Sequence, residues 1–314
     1  MGRIGQFSAA EDGGIAELAY RPGFTASIGM DLLDFAELRR RGRDRGLGEL
    51  EGGAPHRAAF PQLLLVREGE LRLTVDFAEQ RLRPGEWLWI RPGQVHQFEA
   101  GLGASAGTVV IWMPGFIDSP AIAALRAAPP YDQRPLRPEG RQRAAVELAL
   151  RHLTDEFDDL ASLPLPVHIE VLRSLLSALV LRLAHGGEGL PTDATAADGG
   201  YATFVRFHQA VERDFARTRR VEDYARALGY SVRTLTRACL AATGHPAKEY
   251  IDARVVLEAK RQLVHTSTPV LAIAADLGFR DASDFTKFFR RRDPDGRTPA
   301  EFRAIAGGRA RGGR

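Results

Sequence analysis

Between Phe60 and Phe98 apolar and polar residues alternate along short segments. Leu71, Leu73, Val75 and Phe77 alternate with Arg72, Thr74 and Asp76, the period of two that turns one face of a strand inward. Residues 67–70, Arg-Glu-Gly-Glu, predict a hairpin turn with Gly69 in the strained position. Pro84-Gly85 and Pro92-Gly93 then bracket the short apolar run Trp87–Ile90. Punctuation this close predicts an antiparallel β-sandwich or barrel, completed by segments such as Thr108–Met113. From Arg141 the period becomes helical: Val146, Leu150, Leu153 and Phe157 fall at steps of four, three and four. Past a break at Leu163–Pro166, Leu172, Leu175, Leu176, Leu179 and Leu183 form a second stripe. Two leucine-rich stripes make a self-association surface the expectation, with packing of both helices on the sheet as the alternative.

Residues 201–306 read as a succession of short helices. Phe204, His208, Val211 and Phe215 form one stripe, and Val221, Tyr224, Ala225 and Leu228 the next. Gly229 stops that helix and Ser231 caps a third, which runs to Thr243-Gly244. Helix, glycine turn and capped helix make a helix-turn-helix, whose second helix enters a DNA major groove by its N-terminus. The pattern recurs: Val270, Ile273, Ala274 and Leu277 after Pro269, a stop at Gly278, then a helix from about Asp281 to Arg292 through Phe285, Phe288 and Phe289. Between the units, Ile251, Val255, Ala259 and Leu263 recur every fourth position within Pro246–His265. A helix of about 20 residues spans roughly 30 Å, close to one duplex turn of about 34 Å, so both reading helices can face one side of DNA.

Ala184–Gly200, AHGGEGLPTDATAADGG, has almost nothing to bury and reads as a linker. A second break, Ala127–Gly140, contains four prolines. Charge divides with the chain. From residue 201 there are 22 Lys+Arg against 13 Asp+Glu, a balance of +9, whereas the first 200 residues carry −6, which together give the net +3. A basic half next to an acidic one suggests a polyanionic partner for the former. The one cysteine, Cys239, excludes an internal disulfide framework and a cysteine-built zinc site and fits a reducing compartment. The start, MGRIGQFSAAEDGG, has no basic-then-apolar leader pattern, and no apolar run approaches the roughly 18 residues of a spanning helix. A cytoplasmic protein without membrane partners is therefore expected.

The stretch LGYSVRTLTRACLAATGHPAKEYI, followed by VVLEAKRQLVHTSTPVLAIAADLGFRDASDFTKFFRRR and TPAEFR, resembles the AraC-type (arabinose-operon regulator) transcription factors over about a hundred residues. PHRAAFPQLLLV (55–66), VDF (75–77) and RPGEWLWIRPGQVHQF (83–98) resemble, less specifically, the cupin-type sensing barrel of the same family. The resemblance implies an α+β multidomain chain. Its parts are a cupin-like barrel (1–126), a helical dimerisation segment (127–183), a linker (184–200), a double helix-turn-helix domain (201–306) and a basic tail (307–314). It also implies double-stranded DNA, a small-molecule effector, a second copy of the chain and RNA polymerase as partners. No enzyme activity or cofactor is expected. The alternatives are a constitutive regulator whose barrel only dimerises and a cupin enzyme tethered to DNA.

On the first recognition helix, spacing turns Leu235, Ala238 and Cys239 inward and leaves Arg233, Thr236 and Arg237 outward, near the N-terminus. Family positions add Ser231 there and Ser283, Asp284 and Lys287 on the second helix. Arginine pairs bidentately with guanine, whereas Asp284 repels phosphate, so the second unit is expected to contribute less. Arg254, Lys260, Arg261 and Arg290–Arg292 are candidate phosphate contacts or simply solvated charge. DPDGRTP after Arg292 is about two residues longer than the family turn. In the barrel, His56 and His96 stand where cupin enzymes place metal ligands, but Ala58, Leu63 and Leu64 occupy the other ligand region, too few donors for a metal. His56, Arg57, Trp89 and His96 are instead taken as a candidate effector pocket.

Overall fold

The computed structural model describes residues 16–18, 28–44, 48–117, 134–159, 162–185 and 200–311. They form two compact units, the described part of one ending at His185 and that of the other beginning at Gly200. The linker residues 186–199 lie outside the described residues.

In the first unit, β1 (Ala16–Leu18), β3 (His56–Ala58), β8 (Val95–Ala100), β5 (Leu71–Val75) and β6 (Ala78–Leu82) form one sheet in the order β1-β3-β8-β5-β6. A second sheet runs β2-β9-β4-β7, from β2 (Met30–Asp34), β9 (Ala106–Trp112), β4 (Gln62–Glu68) and β7 (Trp87–Ile90). All pairings are antiparallel except β1 with β3. Strand alternation builds two cores. Leu64, Val66, Leu88, Ile90, Val109 and Ile111 face the first sheet across a sandwich interior. Leu63, Leu65, Trp87, Val110 and Trp112 face outward onto α2 (Gly140–Asp158) and α3 (Leu165–His185). Both faces of β4 are covered, which explains its unbroken Leu-Leu-Leu-Val run, and each such side chain contributes about 1.5–3 kcal/mol by burial.

This packing decides the question of the leucine stripes. Leu172, Leu176, Leu179 and Leu183 are fully buried and Leu175 partly so, all on the sheet side, where they meet Val146, Leu150 and Leu153 of α2. They are engaged within the chain and do not form a free surface. The interruption between the helices is shorter than the two prolines suggest, because α3 opens at Leu165 with Pro166 in its first turn, where a missing N–H costs nothing.

Two turn predictions are corrected. Residues 67–70 do turn at Gly69 (φ 79°), but β4 and β5 lie in different sheets, so the turn is a crossing between sheets and not a hairpin. Phe77 is not an inward strand residue. It follows β5 in a two-residue hairpin turn with Asp76, at φ 74° and 46° respectively, and is exposed. Asp76 holds the turn by accepting from the Val95 backbone N–H (3.2 Å) and the Gln94 amide (3.0 Å).

The second unit contains α4 (Gly200–Asp214), α5 (Val221–Leu228), α6 (Val232–Thr243), α7 (Ala247–His265), α8 (Val270–Asp276), α9 (Ala282–Arg292) and α10 (Pro299–Arg311). The last helix continues into the segment expected to be a basic tail. α7 is shared between two cores: Ala247, Tyr250 and Ile251 join α4–α6, while Val255, Val256, Ala259 and Leu263 join α8–α10. Capping follows the sequence signals. Ser231 accepts from Thr234 N–H (3.0 Å) and Asp281 from Asp284 N–H (2.8 Å). Thr298 and Glu301 exchange a reciprocal capping pair at the head of α10. The long turn after α9 is organised by buried Asp293, which accepts from the Arg297 side chain (2.7 and 2.9 Å) and pairs with Lys260 (3.1 Å). Burial disfavours its charge, but these hydrogen bonds outweigh that and hold the carboxyl well below its ordinary range.

Gly229 and Gly278 end α5 and α8 with φ of 71° and 72°. A Cβ on Gly229 meets open space, whereas on Gly278 it falls 2.3 Å from the Ala216 carbonyl oxygen. Both alanine substitutions therefore carry the left-handed backbone cost of about 1–2 kcal/mol, and Gly278→Ala adds a steric one. Thermal unfolding should show Gly278→Ala clearly the more damaging of the pair; equal losses would contradict the tight contact.

Candidate nucleic-acid interface and sensing pocket

On α6, Leu235, Ala238 and Cys239 are buried in the core shared with α4 and α5. Arg233 and Arg237, one turn apart, are exposed, with Thr236 partly exposed beside them. Ser231 lies at the surface, but its hydroxyl already caps α6 and meets the Thr234 hydroxyl at 2.8 Å. Burial pushes the Cys239 thiol up to about 11, as suits an inert core residue. Sequence spacing did not single out Val232 and Leu240, which are exposed on the same helix, Leu240 by 50%. An exposed apolar side chain at the first turn of a reading helix is a ready contact for a thymine methyl.

On α9, Phe285 and Phe289 are buried, and Ser283, Asp284 and Lys287 are exposed. Asp284 sits in the first turn, where its charge favours the helix dipole. Arg290 and Arg291 extend the exposed basic surface toward the end of the helix. The other basic candidates are paired with carboxylates of the same domain. Arg254 donates to both Glu212 carboxylate oxygens (2.9 Å each) and to Glu258 (3.2 Å), with its guanidinium 4.0 Å from the Phe215 ring centre. Arg261 is buried against Glu258, Lys260 pairs with Asp293, and Arg292 pairs with buried Asp252. These four hold the domain together; their carboxylate partners, three to forty-two residues away, are what sequence inspection did not weigh.

In the first unit, β3 and β8 place His56 opposite His96, with ring centres 4.1 Å apart. Burial pulls His56 down to about 4, against an opposing backbone hydrogen bond at Ala54. His96 is lowered as well, by burial first and by the neighbouring His56 second. The Gln62 amide approaches His96 Nε2, and His96 Nδ1 faces the Gln94 carbonyl, both at 3.4 Å, as a neutral Nδ1–H imidazole would arrange them.

A cavity of about 40 Å³ adjoins this pair. Arg41, His56 and Gln62 supply its polar wall, and Leu33, Phe60, Phe98 and Ile111 are among its apolar lining. α1 (Phe35–Asp44) covers it through Leu38, Arg41 and Gly42. Arg41 is held by Glu37 (2.7 Å) and by buried Asp31 (3.1 Å). The remaining pocket candidates do not gather here. Arg57 follows His56 on a strand and turns to the opposite face, and Trp89 lies on the outer face of β7, 6.1 Å from Trp112 and against the helices. Arg41 and Gln62 were not identifiable from sequence, because their approach depends on α1 folding back over the sandwich. Among the described residues no group of three or more His, Cys, Asp or Glu side chains is arranged to hold a metal, and no helix is long and apolar enough to cross a membrane.

Residues 224–305 match the family model for a helix-turn-helix domain, and residues 50–169 match that for an AraC-like ligand binding domain. Fold and surface thus define a DNA-binding transcription regulator that carries a small-molecule-binding domain. The chain belongs to the AraC-type transcription factors. A comparison with curated proteins finds no match. Among solved structures, unsaturated fatty acid-bound wild-type ToxT from Vibrio cholerae strain SCE256 is 12% identical, over 89% of this chain and 95% of that one, with a TM-score of 0.36. The AraC-like transcriptional activator CuxR is 17% identical over 65% and 68%, with a TM-score of 0.29. The xylose-binding transcription activator XylR is 20% identical over 33% and 27%, also at 0.29.

Proposed function

We propose that the chain reads two successive major grooves of one duplex. α6 supplies sequence discrimination through Arg233, Thr236 and Arg237, and α9 a weaker second contact through Ser283 and Lys287. The observation that carries this reading is the division of the basic side chains. Arg233, Arg237 and Lys287 are exposed on the outer faces of two capped helices, while the other candidates Arg254, Lys260 and Arg261 are paired internally. The protein acts as a homodimer in the cytoplasm and meets RNA polymerase at its promoters. Self-association would use the outward sides of α2 and α3 and the turn between them, where Leu148, Leu163, Leu165 and Val167 are exposed. The sandwich acts as a sensor, in keeping with its match to an AraC-like ligand binding domain.

A small effector entering beneath α1 would meet Arg41, His56 and Gln62, and it shifts the regulator only if it binds one state better than the other. The cavity size favours a second reading, a constitutive regulator with a scaffolding barrel. About 40 Å³ holds a few waters, far below the roughly 300–1,000 Å³ of sites for larger ligands. Affinity of the full chain for a duplex selected from a random library, measured with and without small-molecule extract of its native cells, separates the two. A change abolished by Gln62→Leu supports the sensor, and invariance supports the scaffold.

A further inference from the structure

The two helix-turn-helix units share the glycine stop, yet only the second is pressed against its neighbour. Ala216, whose carbonyl oxygen crowds Gly278, belongs to the loop between α4 and α5 and therefore to the first unit. Arg219 of the same loop completes the contact. Its Nη1 donates to the carbonyl oxygens of Leu277 (2.9 Å) and Gly278 (3.2 Å), and its guanidinium lies 3.7 Å from the centre of the Phe279 ring. Helix ends leave such carbonyls without intrahelical donors. A charged planar donor satisfies them strongly while stacking on an aromatic face, a combination lysine cannot reproduce. Burial lowers the pKa of this cation, and Asp252 and Asp284 both oppose that effect, so Asp284 has a role besides any base contact. Phe215, earlier in the loop, packs against both cores.

We infer that Arg219 is a positioning residue for DNA recognition, clasping the turn of the second helix-turn-helix to the α4–α5 loop of the first so that α6 and α9 are presented at one fixed separation and phase. The inference rests on the two-groove reading above. α7 and Phe215 join the two units by apolar packing; the clasp is a separate, polar link, near the turn that aims α9. A fixed pair matches one spacing of its two half-sites. Inserting one base pair displaces the second by about 3.4 Å and rotates it by roughly 35°, which a clasped pair cannot follow.

The test uses the full chain on duplexes selected from a random library, with the two contacted segments at their selected spacing or with one or two base pairs inserted between them. A duplex carrying the first segment alone is the control. Wild type should lose roughly tenfold or more in affinity per inserted base pair, comparable to a mismatch. Arg219→Ala and Arg219→Lys should lose less than about threefold per insertion, with first-segment binding unchanged. Arg219→Lys keeps the charge and is the reserve should the alanine variant unfold. Equal strictness in wild type and both variants overturns the clasp alone. Parallel loss on all duplexes, the first segment included, overturns it in favour of a purely structural role. Indifference of wild type to spacing overturns both the clasp and the two-groove reading.

Discussion

Arg237→Ala is expected to cost the full chain about 1–3 kcal/mol of affinity for its selected duplex, roughly 5- to 150-fold, while binding to unrelated duplex changes by less than about twofold. The reason is the division of labour between base edges and phosphates. Arg237 stands one turn beyond Arg233 on the exposed face of a helix whose N-terminus is fixed by the Ser231 cap. A guanidinium delivered to guanine O6 and N7 discriminates among bases, whereas one delivered to phosphate would weaken every sequence alike. Mobility-shift titrations against both duplexes check this, and proportionate losses on the two would remove Arg237 from base reading. Arg254→Ala is the instructive contrast. That side chain is committed to Glu212 and Glu258 inside the domain, so its loss should lower the melting temperature with little effect on base preference.

The helical half of this fold was legible because its signals are local. Gly229, Ser231 and Gly278 each mark a helix end within a few residues, and the buried positions of α6 and α9 recur at helical spacing. The expected two helix-turn-helix units joined by a long helix are present. What failed depended on partners distant in sequence. Strand alternation ran one residue too far at Phe77 because period alone does not mark where a hairpin turns. Trp89 and His56 were grouped for their chemistry, but sheet faces separate them. The leucines of α3 suit a dimer as well as a sheet, and only the outward side chains of β4 and β9 settle which surface they meet. Arg219 escaped notice because it lies in a short loop with no periodicity, and its partners are about sixty residues further on.

Acidification from pH 6.5 to 4 is expected to destabilise the first unit by about 3 kcal/mol through His56 alone, with His96 adding to it. Well above pH 6.5 both imidazoles are neutral whether the chain is folded or not, so they give stability no slope. Below it the unfolded chain takes up protons that the buried pair cannot, and each proton favours unfolding. The loss from His56 levels off near pH 4, where the folded side chain also protonates. Protonating one ring also opposes the second, since their centres are 4.1 Å apart. Trp87, Trp89 and Trp112 are the chain's only tryptophans and all lie in this unit, so tryptophan fluorescence in denaturant follows it without interference. The Asp293 turn in the other unit gives way only below the ordinary carboxylate range, because its carboxyl is held down by Arg297 and Lys260, against the burial that opposes its charge. A fluorescence midpoint that falls between pH 6.5 and 4 in wild type, and falls less steeply in His56→Gln, bears out the buried neutral pair. A midpoint constant across that window would mean that the histidines are hydrated, and that the sandwich is more open at this end than its packing indicates.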